Sequence, residues 1–533
     1  MKKKVLRGKI IKTIIIVIVT LWNIYFFTHL IFFTDKFIKP YVNINSQDYY
    51  VNSISDSSEL SLEQKVADFQ YMVEFLNENY PLEHIDEEIY KTNIESKNKE
   101  YLQKVKSSKS DFEFFLVLRQ YFSSVKSAHT YLMTPDLNLY KNMRVNNMTN
   151  LLENNINIDL IKYWEDYLSK KVKNYSLDNI VTYNYIDGKY YNNDNFESYI
   201  THINNDTIQK FVDRYDSVLA KKYNHENKAL YYDKLIFNSA QGEQVLVRLN
   251  NGNEIPLYIS SEYEFAYVYN NFNNIWEPEI FYIIDEEKRL CYYRIDSFEI
   301  KYLNDIIKLS TEITERKDAF DYIVFDIRNN GGGQLGTFIK GILNFFVYDD
   351  HTFKIKSFTP YTEYHSEFRS KTSYNDIVKK PIKNIKAKAN YYYGVNIRNK
   401  YGSNKVNTLK KMFVLIDEGT CSAADTFAAI MKTGKHAILV GQNTAGEGLS
   451  DTSSIFSLPN SGLLISFMGS YGSNEDGTSN SQYGTVPDYY ISQDISHYIK
   501  GKDINNNSES IQNIMLYDRQ LEFITNNLVG KGI

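Results

Sequence analysis

The apolar positions of this chain change their spacing along its length, and the change divides it. An unbroken apolar run from Thr13 to Phe33 comes first, and residues 34–58 are polar and read as a linker. From Ser61 to about Tyr131 the spacing is helical. In ADFQYMVEFLNENYP apolar residues recur every three or four positions until Pro81 stops the helix, and DFEFFLVLRQYFSSV, opening near Asp111, repeats the pattern before SAHTYLM. Residues 135–275 are rich in Asn and Tyr, mix short patterns and define no fold. From about Glu277 short runs of β type (FYIID, LCYYRIDSF, YIVFDIR, MFVLID, AILVGQ) alternate with helical segments (LNDIIKLSTEITERK, TFIKGILNFF, ADTFAAIMKTG). Strand alternating with helix predicts an α/β domain with a largely buried sheet. The tail, IQNIMLYDRQLEFITNNLVGKG, reads as an amphipathic helix closed by Gly530. The expected division is 1–37 basic flank and anchor, 38–60 linker, 61–134 helical region, 135–276 middle region, 277–495 catalytic domain and 496–533 helical tail.

The first apolar run is long enough to span a bilayer as a helix. Lys2, Lys3, Lys4, Arg7, Lys9 and Lys12 precede it, a flank that stays cytoplasmic and places the rest outside. No small-residue cleavage site follows, so an uncleaved transmembrane anchor in the cell membrane is expected rather than a signal peptide. Over 533 residues the net charge is only −5, with no basic surplus of the kind that nucleic-acid binding requires. The two cysteines, Cys291 and Cys421, are too few for a disulfide scaffold, and no Cys/His cluster suggests a structural metal. No cofactor is implied.

Three segments carry chemistry. In FVLIDEGTCSAADTFAAIMK a buried-type strand ends at Asp417 and a helix opens around Ser422. Ser422 and Asp425 fit a variant of the capping box, and a serine in such a place is ordinarily only a cap. Alternatively its hydroxyl projects toward the positive end of the helix, where a developing oxyanion would meet free backbone N–H groups. In YIVFDIRNNGGGQLGTF a strand runs into Asp326, Arg328, Asn329 and a run of glycines that can expose N–H donors. A phosphate loop is excluded because Gln334, not Lys, follows Gly333. The third segment is AILVGQNTAGEGLSD.

With DIRNNGG at 326–332, SAAD at 422–425, GQNTAG at 441–446 and GTVPD at 484–488, the chain resembles the S41 serine peptidase family, which includes tail-specific (C-terminal processing) and tricorn-like proteases. The resemblance covers about 277–495 and extends loosely to the helical region. It implies a crotonase/ClpP-like α/β core and hydrolysis of peptide bonds through an acyl-enzyme. Ser422 falls on the nucleophile. The N–H groups of Ala423 and of Gly331 or Gly332 fall on the oxyanion hole, and Arg328 and Asn329 hold the turn. A peptide or protein substrate is implied.

The sequence departs from the tail-specific pattern at the general base. That branch has a lysine in T-x-G-K-G, whereas this chain reads TAGEG with Glu447 at the lysine's place. The tricorn-like branch uses a histidine from the N-terminal helical part, and SAHT supplies His129. His129 is therefore the expected base, taking the Ser422 proton and returning it to the leaving amine. The carboxylate expected shortly before G-x-x-P-D is replaced by SNSQY, with Ser481 and Gln482 nearest. Glu447, Glu475 and Asp476 are the candidate supporting acids. Cys421 reads as a packing residue. The missing lysine and unassigned acid keep open an alternative, an inactive S41-fold protein that binds a ligand or peptide. No PDZ signature is evident in 135–275.

Overall fold

A computed structural model describes residues 46–51, 59–145, 156–192, 195–272, 278–347, 351–360, 362, 364–365, 391–401, 411–450, 453–493 and 518–530. The anchor expected over 1–37 lies outside these residues. Among the described residues no helix is long and apolar enough to cross a membrane.

The helical region begins with α1 (Leu62–Asn79). Ser61 caps it and exchanges hydrogen bonds with Gln64 in a capping box. Helix α2 (Asp111–Phe122) is capped by Ser110. Its buried face includes Phe112, Phe115 and Leu118, which join Phe69, Met72 and Phe75 of α1 in one core. After α2 the chain turns through 123–130. It then forms a two-residue strand, Tyr131–Leu132, antiparallel to Leu464–Phe467, with Tyr131 opposite Ser466.

The middle region, whose fold the sequence left open, is a seven-stranded antiparallel sheet. Strand Ile180–Ile186 lies between Lys189–Asn192 and Lys234–Asn238. Glu254–Ile259 and Glu243–Leu249 follow, then Asn195–Ile203 and Asp206–Thr207. Pairing of Tyr191 with Tyr199 closes six of these strands into a barrel. Its Tyr183, Phe237 and Val247 belong to the same core as the N-terminal helices. Closure removes the edges that an open sheet would expose.

The α/β domain is built on six strands, β1 (Ile280–Asp285), β2 (Leu290–Ile295), β3 (Tyr322–Asp326), β4 (Lys411–Ile416), β5 (Ala437–Gly441) and β6 (Tyr489–Tyr490), in that spatial order. The β1–β2 pair is antiparallel and all later pairs are parallel. Alternate strand residues serve opposite faces, as a period of two requires. Tyr293, Phe325 and Val414 pack under α3 (Leu303–Glu315), the helical run 335–346 and α4 (Ala423–Thr433). Tyr292, Val324 and Phe413 pack against α5 (Arg519–Asn527), through Leu521 and Ile524. The sheet is thus covered on both sides, and the carboxyl ends of β3 and β4 release the two turns that carry the chemistry.

Candidate active site

The turn after β3 is held from beneath. Asp326 is fully buried and accepts from Arg328 Nε at 2.8 Å, Arg294 Nη1 at 3.0 Å and Tyr292 Oη at 2.6 Å. Burial alone would raise its pKa, but the charges of Arg328 and Arg294 outweigh it and hold the carboxyl well below the usual range. Arg328 also reaches Asp518 and Gln520 at the start of α5. This pins the turn to the far face of the sheet.

Asn329 takes a left-handed φ of 60° and donates its N–H to Asp417 Oδ1 at 2.9 Å. Asn330 organises more of the turn than Asn329 does. Its Nδ2 donates to Ile295 O, its carbonyl accepts Cys421 N at 3.0 Å, and its Oδ1 accepts Gly332 N at 2.9 Å. The sequence reading gave the holding role to Asn329, although in D-x-R-x-N-x-G-G the motif asparagine falls on 330 and not 329.

Ser422 is not a helix cap. It stands at φ 54° and ψ −120° immediately before α4, and its side chain makes no capping hydrogen bond. A non-glycine residue here carries roughly 1–3 kcal/mol of strain, of the kind that gathers at functional sites. Asp425 does not close a capping box either. Its buried carboxylate accepts from Thr444 Oγ1, Thr485 N and Oγ1, and Gly448 N. Asp425 thereby joins the SAAD, GQNTAG and GTVPD segments around one acid. Its pKa is raised by burial, with these donors pulling the other way.

The glycine turn approaches the serine closely. A Cβ on Gly332, whose φ is +109°, would lie 2.8 Å from Ser422 Cβ and 3.0 Å from Ala423 N. Of the three expected oxyanion donors, Gly332 is the exception, because Asn330 Oδ1 already takes its N–H. Among the described residues the N–H groups of Gly331 and Ala423 make no hydrogen bond. Ala423 N–H lies in the first turn of α4, where the helix dipole is positive.

Ser422 and the His129 turn are tied to adjoining residues. Ser422 N donates to Gly446 O at 3.0 Å. The next residue, Glu447, is buried and itself stands at φ 65°. Its carboxylate accepts Ser127 Oγ at 3.1 Å and the backbone N–H groups of Ala128 and His129 at 3.2 Å each. From the other side Ser466 Oγ donates to His129 O at 2.8 Å. Glu447 therefore grips the backbone around His129 and not its ring. Among the described residues the His129 imidazole makes no hydrogen bond.

The other two candidate acids are not brought to His129. Glu475 and Asp476 are exposed. Asp476 accepts from Thr478 N and Oγ1 within its own loop, and both acids border a cavity shared with Lys432 and Lys356. A Gly/Ser/Asn-rich loop thus satisfies Asp476 locally, which spacing alone does not reveal. Ser481 is fully buried at the start of a short helix, and among the described residues its Oγ has no partner. Burial raises the Cys421 thiol to about 12, which leaves it unsuited to nucleophilic attack.

A sheet covered on both faces thus carries Ser422 at a helix start, close beside a glycine turn. Residues 289–491 match the model of peptidase family S41, the serine peptidase family that the motifs resemble. No curated protein matches the chain. A crystal structure of a CPAF mutant is similar at TM-score 0.50 and 12% identity, covering 87% of this chain and 98% of that one. Mature CPAF gives TM-score 0.49 at 12% identity, over 89% and 99% of the two chains. A photosystem II D1 C-terminal processing protease gives 0.35 at 12%, over 80% and 92%. Identity at this level is a likeness of fold.

Proposed function

We propose that this chain is a membrane-anchored serine endopeptidase acting outside the cytoplasm, with Ser422 as nucleophile and His129 as base. The observation that carries the reading is Ser422 itself, strained, uncapped and placed between the glycine turn and the free end of α4. His129 takes the proton of Ser422 Oγ as that oxygen attacks the scissile carbonyl. The tetrahedral oxyanion is met by the N–H groups of Ala423 and Gly331. Collapse breaks the C–N bond, His129 protonates the leaving amine, and water then hydrolyses the acyl-enzyme with His129 again as base. Glu447 positions the His129 turn.

The anchor and outward orientation rest on the basic flank and apolar run of residues 1–37. The full-length protein incubated with unfolded casein tests the activity. Cleavage by wild type and none by Ser422→Ala is the expected result, and equal cleavage by both would contradict it. A reporter enzyme active only outside the cytoplasm, fused after residue 60, tests the orientation by being active.

One observation favours a second reading. No carboxylate supports the imidazole of His129 among the described residues, as suits an S41-fold protein that binds peptides without cutting them.

A further inference from the structure

Arg119 lies in the last turn of α2, facing a cavity of about 490 Å³. Ser127, Ala128 and Thr130, which flank His129, line the same cavity. Its floor is apolar, with Phe122, Val218 and Phe265 among the lining residues. Of the five N–H donors of the guanidinium, one is spent, from Nη1 to Leu132 O at 3.3 Å. Among the described residues Arg119 forms no salt bridge. Two carboxylates also border the cavity, and among the described residues neither forms an ion pair with Arg119. Asp136 accepts the N–H groups of Asn138 and Leu139 at 2.8 Å each, and Glu165 is not paired with Arg119. Arg119 is half-buried, and this burial lowers the guanidinium to about 10, with Tyr131 only partly opposing.

A half-buried cation without an ion-pair partner, with free donors in a fixed fork, matches a carboxylate in both charge and geometry. We propose that this cavity is a substrate subsite in which Arg119 accepts a peptide carboxylate beside the catalytic histidine. The carboxylate comes from an acidic side chain or from the free end of the peptide. The proposal rests on the peptidase reading for its place in the reaction, since the cavity adjoins the residues on either side of His129. It makes Arg119 a determinant of specificity, separate from Ser422 and His129.

The test uses the full-length chain carrying Ser422→Ala, so that binding is read without cleavage. The probes are fluorescent peptides of one apolar frame, with Glu or Gln at successive positions and with a free or amidated C-terminus. One acidic position, or the free end, is expected to bind roughly tenfold or more tightly than its neutral counterpart, the factor one charge-assisted pair supplies. The arm that shows the difference identifies the source of the carboxylate. Arg119→Gln is expected to bring the ratio close to one, and Arg119→Lys to keep part of it. Equal binding of acid and neutral peptides throughout overturns the proposal even if Arg119→Gln fails to fold, and so does a ratio that survives Arg119→Gln. Labelling of Ser422 by a fluorophosphonate, in a chain that retains the serine, is read separately. Loss of labelling in the wild type refutes the peptidase reading, while the binding ratio still decides the subsite.

Discussion

The carboxylate of Glu447 accepts the backbone N–H of His129 at 3.2 Å. At the place where tail-specific relatives have a lysine base, this chain has an acid that holds the turn bearing a histidine. Glu447→Ala leaves the N–H groups of Ala128 and His129 and the hydroxyl of Ser127 without that acceptor. Ser127 is the buried one of the three, and leaving its hydroxyl unsatisfied costs about 1–3 kcal/mol. Thermal unfolding should shift downward, and kcat on casein-derived peptides should fall at least about tenfold as the base loses its position. Glu447→Lys, which restores the family's lysine pattern, should not restore activity. A Glu447→Lys variant as active as wild type would show that the lysine dyad can operate here and that the His129 turn is dispensable.

Gly332→Ala tests the close approach of the glycine turn to the nucleophile. The added methyl would meet Ser422 Cβ at 2.8 Å and Cys421 O at 2.9 Å, at a φ that disfavours any side chain. Displacing Ser422 or the oxyanion donors should lower kcat roughly a hundredfold, the scale of losing one oxyanion contact. Unfolding temperature should move much less than it does for Asp326→Ala. Unchanged kcat would show that the turn lies outside the reacting geometry.

Asp326 links β3 to α5 through Arg328 and Asp518. Asp326→Ala leaves Arg328 with Asp518 and Arg294 with Asp296 as remaining counter-ions, and should destabilise the fold by up to about 3 kcal/mol, less than the cost of a buried charge left with no partner. Its acid limb follows from linkage. The folded pKa is depressed below the unfolded value of about 3.9, so the stabilisation is complete above that value and is lost as pH falls through the folded pKa. Unfolding followed by circular dichroism below about pH 4 should therefore show a loss of stability that Asp326→Asn largely lacks.

Glu418 precedes the Ser422 turn and accepts from Tyr231, which lies in a separate two-stranded ribbon of Lys222–Asn224 and Ala229–Tyr231. Burial raises it to about 7, with the Tyr231 hydroxyl and Lys222 opposing. A carboxyl raised on folding holds a proton that the unfolded chain has lost above its own value of about 4.3. This contribution to stability falls as pH rises from about 4 to about 7 and is flat above. Glu418→Gln should remove that slope, so between pH 5 and pH 8 its melting temperature should fall less than that of wild type. Parallel melting curves for the two proteins would contradict the assignment.

The α/β core was legible because each of its first five strands is a concentrated apolar run. FYIID, LCYYRI, YIVFD, MFVLI and AILVG all form strands of the central sheet. The helices α1 and α2 were legible from their period, and the second does begin at Asp111, with Ser110 as its cap. The barrel was not legible. Its strands are rich in Tyr and Asn and pair at long range, as Val181 does with Phe237, so no local signal marks them. At the site, the motif spacing brought out Ser422 and the glycine turn. It could not reveal that Asp425 faces Thr444 and Thr485 instead of capping, or that Glu447 turns toward backbone N–H groups. Those partners lie far along the chain, and only the fold sets their directions.

A fluorophosphonate probe, applied to the full-length protein and mapped by mass spectrometry, tests the central claim most directly. The account predicts a single adduct on Ser422 oxygen. It further predicts that labelling is abolished in Ser422→Ala and slowed at least about a hundredfold in His129→Ala, which retains the serine but lacks its general base. Labelling that is absent in folded wild type, or that proceeds at the wild-type rate in His129→Ala, would contradict it.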